Sequence, residues 1–131
     1  RVSDVLVAHN MSFDLPVVGA ELVRLRGTNI LQDVPTICTK EASTDYCKIP
    51  FPGGGRGYKW PNLQELHETL FSRRFGGAHD AGADVKAGAR CFLELSRRSI
   101  ISPLELTSTR AEQEGNLFLP DDNSTGSYSP F

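Results

Sequence analysis

The chain has 131 residues and a mass of 14.4 kDa, with 14 Lys and Arg against 16 Asp and Glu. This length fits one domain at most. Its content of 39% hydrophobic and 23% charged residues is typical of a folded protein and excludes a highly charged, disordered chain. A strongly basic surface is the usual sign of a nucleic-acid-binding protein, and the net charge of −2 gives no such sign. An enzyme that keeps acidic residues for metal ions still fits that charge.

Three cysteines, Cys38, Cys47 and Cys91, lie far apart in the sequence without any CxxC pair. This spacing fits neither a disulfide scaffold nor a zinc ribbon, and a reducing cytoplasm is the simplest setting. No run approaches the ~20 apolar residues that span a bilayer, and the first residues do not resemble a signal peptide. We therefore expect a cytoplasmic protein without a membrane partner.

The first half of the chain predicts a strand, a helix and a second strand. Residues 4–8 form a short apolar run rich in β-branched side chains, which predicts a buried strand of an α/β sheet. A helix is predicted from residue 15, with Pro16 in its first turn and Gly27 as its end. Its core-facing stripe is Leu15, Val18, Leu22 and Leu25. Residues 34–39 predict a second strand, followed by a polar connection.

The second half predicts a loop, two helices and a tail. Residues 49–57 are rich in proline and glycine and must form a loop. Asn62 and Glu65 predict a capping box for a helix, and its apolar face is Leu63, Leu66, Leu70 and Phe71. Another helix is predicted from His79–Asp80 to about Arg98, with one side formed by Ala81, Val85, Ala89, Phe92 and Leu95. Residues 1–100 would form the domain, and residues 101–131 a flexible tail of polar composition.

Two short polar clusters stand out, at residues 8–14 and 78–85. Asp14 follows the first strand and would reach the carboxyl edge of the sheet, where open α/β sheets bind ligands. His79 lies at a helix start, and Asp84 follows one and a half turns later, so both can face the same edge. Carboxylates suit hard divalent cations, and a histidine with a pKa near ~6.5 can deprotonate water.

These residues resemble the motifs of a known enzyme family. The strand followed by His9-Asn10-x-x-Phe13-Asp14 resembles the second motif, and His79-x-x-x-x-Asp84 the third motif, of the DEDDh 3′→5′ exonucleases. That family includes the proofreading epsilon subunit of bacterial DNA polymerase III. The stretch 48–66, with its Gly-Tyr-Lys-Trp-Pro-Asn-Leu sequence, resembles the connector of epsilon-like exonucleases. The resemblance covers residues 4–98.

The resemblance implies a fold and a chemistry. The fold would be an α/β, RNase H-like fold with a mixed sheet, and the activity removal of nucleotides from DNA 3′ ends in proofreading or repair. Two Mg²⁺ or Mn²⁺ ions would stabilise the attacking and leaving oxygens. Asp84 would bind the metal pair directly, Asp14 would hold the second metal through water, and His79 would be the general base. Single-stranded DNA 3′ ends and a DNA polymerase subunit are the implied partners.

One part of the family pattern is absent. The first motif, an Asp-x-Glu on an opening strand, has no counterpart on any strand pattern of this sequence. We therefore expect the C-terminal part of an exonuclease domain, without its N-terminal strands and inactive as a chain on its own. An exoribonuclease of the same family is the alternative enzyme, since sequence does not separate DNA from RNA substrates. A non-catalytic interaction module that has lost the first motif is the alternative from another class.

Each candidate residue also has a purely structural interpretation. His79 could cap a helix, while Asp14 and Asp84 could be carboxylates favoured by a helix N-terminus. His9 and Asn10 fit substrate binding, but a histidine at a strand end is more often a structural hydrogen-bonding group. Phe13 fits a wedge in the core, or an aromatic that stacks on a terminal base.

Basic and aromatic residues suggest further contacts. The glycine loop at 53–57 lacks the GK[ST] ending of a P-loop and predicts a mobile surface loop. Arg56, Tyr58, Lys59 and Trp60 interleave cations with aromatics, which is typical of single-strand binding, although burial is the favoured interpretation for Trp60. Arg73–Arg74 and Arg97–Arg98 fit solvated helix ends or phosphate contacts. The segment Gln113–Phe118 loosely resembles a peptide that binds the sliding clamp.

Overall fold

The computed structural model describes residues 4–102, and this range folds as a mixed α/β structure. Its elements follow the order β1 (Leu6–Ala8), α1 (Met11–Arg26), β2 (Thr36–Cys38), α2 (Thr39–Cys47), α3 (Leu63–Phe71) and α4 (Ala81–Arg97). The strands β1 and β2 pair in parallel, with Leu6 opposite Thr36 and Ala8 opposite Cys38. The α/β class is thus confirmed, with a parallel two-stranded sheet in the part of the chain that is described.

Helix α1 connects the two parallel strands and is longer than the sequence pattern indicates. It begins at Met11 and not at Leu15, so Asp14 lies in its first turn and Pro16 in its second. Pro16 is therefore inside the helix, where it lacks the N–H that would bond the Ser12 carbonyl oxygen. Gly27 ends α1 as predicted, because its left-handed φ of 76° lets its N–H bond the Val23 carbonyl oxygen at 2.8 Å.

The predicted core-facing stripe of α1 is only half correct. Leu15 and Leu22 are half-buried, whereas Val18 and Leu25 are exposed. The prediction of a buried strand at residues 4–8 is also wrong, since β1 is shorter and Val7 on it is exposed. Both errors have one cause, because periodicity indicates which face is apolar but not whether another layer covers it.

Helix α2 occupies the segment that the sequence predicts as a polar connection. Its nine residues lack the apolar spacing of an amphipathic helix, so periodicity gives no signal. Its buried positions are instead Thr39 and Ser43. The Ser43 hydroxyl donates to the Thr39 carbonyl oxygen at 2.6 Å, which satisfies the buried polar group.

The hydrophobic core lies between α3, α4 and the residues after α4. It contains Leu66 and Leu70 of α3, Cys91 and Leu95 of α4, and Ile101. Ile101 is buried, so the packed region extends past the predicted boundary at residue 100. The rest of the predicted tail, including the Gln113–Phe118 segment, lies outside the described residues.

The ends of α3 and α4 match the sequence signals. Asn62 and Glu65 form the predicted capping box of α3, with two reciprocal hydrogen bonds of 2.8 Å. The Asp80 carboxylate caps α4 by accepting the Ala83 N–H at 2.9 Å.

The buried side of α4 differs from the predicted one. Ala81, Val85 and Ala89 are exposed, while Phe92 is half-buried and Leu95 is buried. The packed line is Ala87, Cys91 and Leu95, because α3 lies against that side. Within residues 4–102, no helix combines the length and apolarity needed to cross a membrane.

Candidate functional site

A groove of about 690 Å³ opens between β1, the start of α1 and the exposed side of α4. Its polar lining includes His9, Asn10 and Asp14 from the first sequence cluster and Asp84 from the second. Its apolar lining includes Val7, Val18, Val85 and Phe92. Two carboxylates that lie 70 positions apart in the sequence therefore face one groove at the end of β1.

Both carboxylates sit in the first turn of a helix. Asp14 is the fourth residue of α1, and its backbone N–H bonds the Asn10 carbonyl oxygen at 3.0 Å. Asp84 is the fourth residue of α4, and its Oδ1 accepts the backbone N–H of His79 at 3.3 Å. The partial positive charge at a helix N-terminus stabilises an ionised carboxylate. The groove is therefore lined by negative groups that the fold itself supports.

His79 lies beside Asp84 through its backbone. Its φ of 74° is in the left-handed region, which is uncommon for a residue with a side chain. This conformation turns the chain into α4 and aims the His79 amide at the Asp84 carboxylate. The imidazole is exposed and forms no hydrogen bond with the described residues.

His9 uses both ring nitrogens inside the protein. Its Nε2 lies 2.8 Å from the Pro61 carbonyl oxygen, and its Nδ1 lies 3.0 Å from the Thr39 hydroxyl oxygen. Since a carbonyl only accepts, Nε2 carries the proton and Nδ1 of the neutral ring accepts from Thr39. Burial lowers the pKa of His9, against the opposing effect of the Pro61 bond. This geometry matches the structural interpretation of His9, since the ring joins β1, α2 and the start of α3.

Asn10 belongs to a small network that the sequence did not indicate. Its Oδ1 accepts from the Lys40 ammonium at 2.8 Å and from the Ser12 hydroxyl at 3.2 Å. The Lys40 ammonium also lies 4.2 Å from the ring centroid of Trp60, within range of a cation–π contact. The sequence analysis did not identify Lys40, because Lys40 lies on α2 and the polar sequence of that segment did not predict a helix.

Exposure decides two predictions about aromatic residues. Burial was the favoured interpretation of Trp60, and it is wrong, because 61% of this residue is exposed while its neighbour Pro61 takes the buried position. Phe13 is 64% exposed, which rules out the core-wedge interpretation. Phe51 and Tyr58 are exposed as well. Flat apolar rings thus stand in solvent on α1 and on the connector.

The glycine loop is closed at its base. Pro50 and Tyr58 form an antiparallel bridge, and the Lys59 N–H bonds the Ile49 carbonyl oxygen at 2.8 Å. Arg56 lies exposed within the loop. The Lys59 ammonium lies 2.7 and 2.8 Å from the two carboxylate oxygens of Glu65. Lys59, which the sequence predicts as a substrate contact, is therefore part of a half-buried ion pair.

The structure therefore brings some of the predicted residues together and leaves others apart. The groove is lined by His9, Asn10, Asp14 and Asp84, whereas its lining does not include Phe13, Arg56, Lys59 and His79. Among residues 4–102, no group of three or more His, Cys, Asp or Glu side chains is arranged to hold a metal ion. Comparison with known proteins gives no significant match to any family model, curated protein or solved structure.

Proposed function

We propose that the groove is part of the active site of a metal-dependent 3′→5′ exonuclease that acts on DNA ends, on an RNase H-like sheet. One observation carries this proposal. Asp14 and Asp84, which the sequence singles out independently, line the same groove beside the carboxyl end of β1. This is the edge where parallel α/β sheets bind ligands. DNA polymerase association belongs to the same proposal and rests on the sequence resemblance alone.

The donor atoms of the groove suit Mg²⁺ or Mn²⁺. Carboxylate oxygens are the ligands that these hard cations prefer, and Asp14 and Asp84 would hold them. The ions supply charge neutralisation at the phosphodiester and activation of a water. Two carboxylates are few for a pair of ions, so further oxygen ligands would come from outside residues 4–102.

The edge of β1 offers a place for those ligands. The Leu6 N–H donates to the Pro35 carbonyl oxygen at 2.8 Å, so Leu6 faces β2. Because backbone groups alternate along a strand, the Val7 N–H and C=O face the opposite edge. In the described sheet no strand covers that edge. An added strand would lie beside Asp14 and Asp84 and would cover the apolar lining of the groove.

Other residues of the chain would supply the general base, the stacking surfaces and the positive charge. His79 accepts the proton of the attacking water, with its backbone held against Asp84. The exposed rings of Phe13 and Trp60 provide faces on which bases of a single strand can stack. Lys40 places positive charge beside the Trp60 ring, and Arg56 offers a further exposed cation in the glycine loop.

The decisive experiment supplies the missing ligands in trans. The 131-residue chain is mixed with Mn²⁺, a 3′-labelled DNA oligonucleotide and a synthetic strand peptide that carries an Asp-x-Glu between apolar residues. We expect nucleotide release only when peptide and metal are both present, and none after addition of EDTA. A peptide with Asn-x-Gln is the matched control. A matched RNA oligonucleotide decides the substrate.

Variants then assign the residues. Asp84→Asn and Asp14→Asn should abolish cleavage, whereas Asp45→Asn, which removes an exposed carboxylate from α2, should leave the rate unchanged. His79→Ala should lower the rate by ~10²–10⁴-fold, as for the loss of a general base, without weakening Mn²⁺ binding. An Asp84→Asn protein that cleaves at the normal rate would refute the proposal.

A further inference from the structure

A second pocket, of about 470 Å³, lies on another side of α4 and collects positive charge. It is formed by His67 of α3, the segment after α3 and the first three turns of α4. Arg73 and Arg74 contribute from the segment, and Lys86 and Arg90 from the helix. Four cations around one pocket are a strong local concentration in a chain whose net charge is −2. We refer to these four residues and the space between them as the basic pocket.

Most of this charge has no acidic partner among residues 4–102. Arg74 pairs with Glu68 at 3.1 Å, and both side chains are exposed. Within residues 4–102, no carboxylate lies within 4.0 Å of the charged groups of Arg73, Lys86 or Arg90. Asp80 also lines the pocket, but its Oδ1 is bound to the Ala83 N–H. The charges are therefore available to an anion from outside.

The wall of the basic pocket is rigidly built. His67 is buried, and its Nδ1 lies 2.7 Å from the Arg73 carbonyl oxygen. The Gln64 side chain donates to the Phe75 carbonyl oxygen at 2.8 Å and accepts the Phe75 N–H at 3.2 Å. These three bonds fix the backbone on both sides of Arg74. The arginines therefore project from an ordered segment that is anchored to α3.

The basic pocket and the groove share α4 but occupy different sides of it. Lys86 and Arg90 are one turn apart and face the basic pocket, whereas Asp84 and Val85 face the groove. At 100° per residue, the two sets lie on nearly opposite faces of the helix. A helix with its side chains is ~10–12 Å across. A single strand that occupies both sites must therefore pass around the outside of α4.

We propose that the basic pocket binds the phosphodiester backbone of a single strand upstream of the 3′ end that occupies the groove. Arginines suit this role because the guanidinium fork bonds two phosphate oxygens at once. The inference rests on the proposed function for its position relative to the 3′ end. It predicts that only a strand long enough to pass around α4 contacts both sites.

The test measures binding without divalent metal, so that it is independent of catalysis. Fluorescence anisotropy of a 5′-labelled, twelve-nucleotide oligo(dT) is followed at increasing NaCl. Each phosphate contact on a single strand contributes about 0.7 to the slope of log K against log [NaCl]. The double variant Arg73→Ala/Arg90→Ala should therefore lower the slope by about 1.4.

Two further variants control the result. Arg24→Ala/Arg26→Ala removes the same charge from α1, away from both cavities, and should leave the slope nearly unchanged. Lys86→Ala/Arg90→Ala leaves the 73–75 segment intact and should reproduce the loss, with folding checked by circular dichroism. Equal slopes in all variants, or equal losses in the α1 control, would overturn the proposal, because binding would then follow net charge alone.

The cleavage assay separates this inference from the proposed function. If the Arg73→Ala/Arg90→Ala variant shows the expected loss of slope but the wild-type chain never releases nucleotides, the basic pocket stands and the exonuclease proposal is refuted. If the chain cleaves DNA but the Arg73→Ala/Arg90→Ala variant binds with unchanged salt dependence, only the basic-pocket proposal is refuted. Inorganic phosphate that competes as well as an equal concentration of oligonucleotide phosphate would also reject a backbone site.

Discussion

Helices α1 and α3 show how differently two apolar helices can be used in one small fold. Helix α1 has 16 residues and buries only Met11 and Gly19. Helix α3 has nine residues and buries Leu66, His67 and Leu70. The difference lies in their neighbours, since α3 packs against both α2 and α4, whereas the main contacts of α1 are with the short sheet. Burial therefore depends on a second layer more than on apolar content.

This contrast divides the described chain into two halves. The α2–α3–α4 half contains the hydrophobic core, and the β1–α1 half forms one side of the groove. Val17, Val18, Val23 and Leu25 leave apolar surface on α1 in contact with water. We expect substitutions in the α2–α3–α4 half to change stability, and substitutions in the β1–α1 half to change it little.

The largest effect is expected at the centre of the core. Leu66 has no exposed surface, so Leu66→Ala should leave a cavity and lower the free energy of unfolding by about 2–5 kcal/mol. Urea denaturation followed by circular dichroism measures the change. A loss below about 1 kcal/mol would mean that α3 is not the centre of the stable half.

The helix caps offer a matched pair with a smaller effect. Asn62 accepts the Glu65 N–H within α3, so Asn62→Ala should cost ~1 kcal/mol. Asn10 occupies the N-cap position of α1, but its side chain accepts from the Ser12 hydroxyl and the Lys40 ammonium and from no backbone N–H of that helix. Asn10→Ala should therefore cost less, and the same urea titration compares the two. Equal losses would contradict the contrast between the halves.

The pH dependence of stability should reveal the lowered pKa of His9 in the folded chain. Burial holds the pKa of His9 in the folded chain below its ordinary value of ~6.5. The unfolded chain then binds the proton more readily, so this contribution to stability is present above pH ~6.5 and is lost as the pH falls. His9→Gln removes the titrating group, so its unfolding free energy should fall less than that of the wild type between pH 7 and 5. Parallel curves would show that His9 does not titrate differently on folding.

The smallest effect is expected on the outer face of α1. Leu25 is 69% exposed, so Leu25→Ser should change the unfolding free energy by no more than about 0.5 kcal/mol. Thermal melts of the two proteins at equal concentration provide the measurement. A large loss, or a change in the apparent molecular mass on gel filtration, would show that α1 is covered in solution.

Local sequence signals predicted the end of α1 and the starts of α3 and α4, but not the start of α1. Gly27, Asn62 and Asp80 act through bonds to residues three or four positions away, so the sequence alone carries their information. The location of Asp14 and Asp84 on one groove agrees with the expectation that both lie near the carboxyl edge of the sheet. The two-metal chemistry and the exonuclease activity remain predictions.

The errors concern contacts between distant segments. Helix α2 was missed because its buried residues are polar and their hydrogen bonds are not encoded as hydrophobic spacing. Val85 was assigned to the core but is 71% exposed, because the sequence does not specify which side of α4 meets α3. The Lys40–Trp60 contact joins residues 20 positions apart across two elements, and neither residue alone predicts it.

The bridge between Pro50 and Tyr58 makes the connector a convenient site for protein engineering. Because the bridge and the Lys59–Ile49 bond close the loop at its base, the length of the intervening segment is uncoupled from the packing on either side. Each doubling of a flexible loop costs only about 0.6 kcal/mol of closure entropy. An epitope tag or a fluorophore inserted between Gly54 and Gly55 should therefore leave the core intact. Such a label would report on ligands at the nearby Trp60 without occupying the groove.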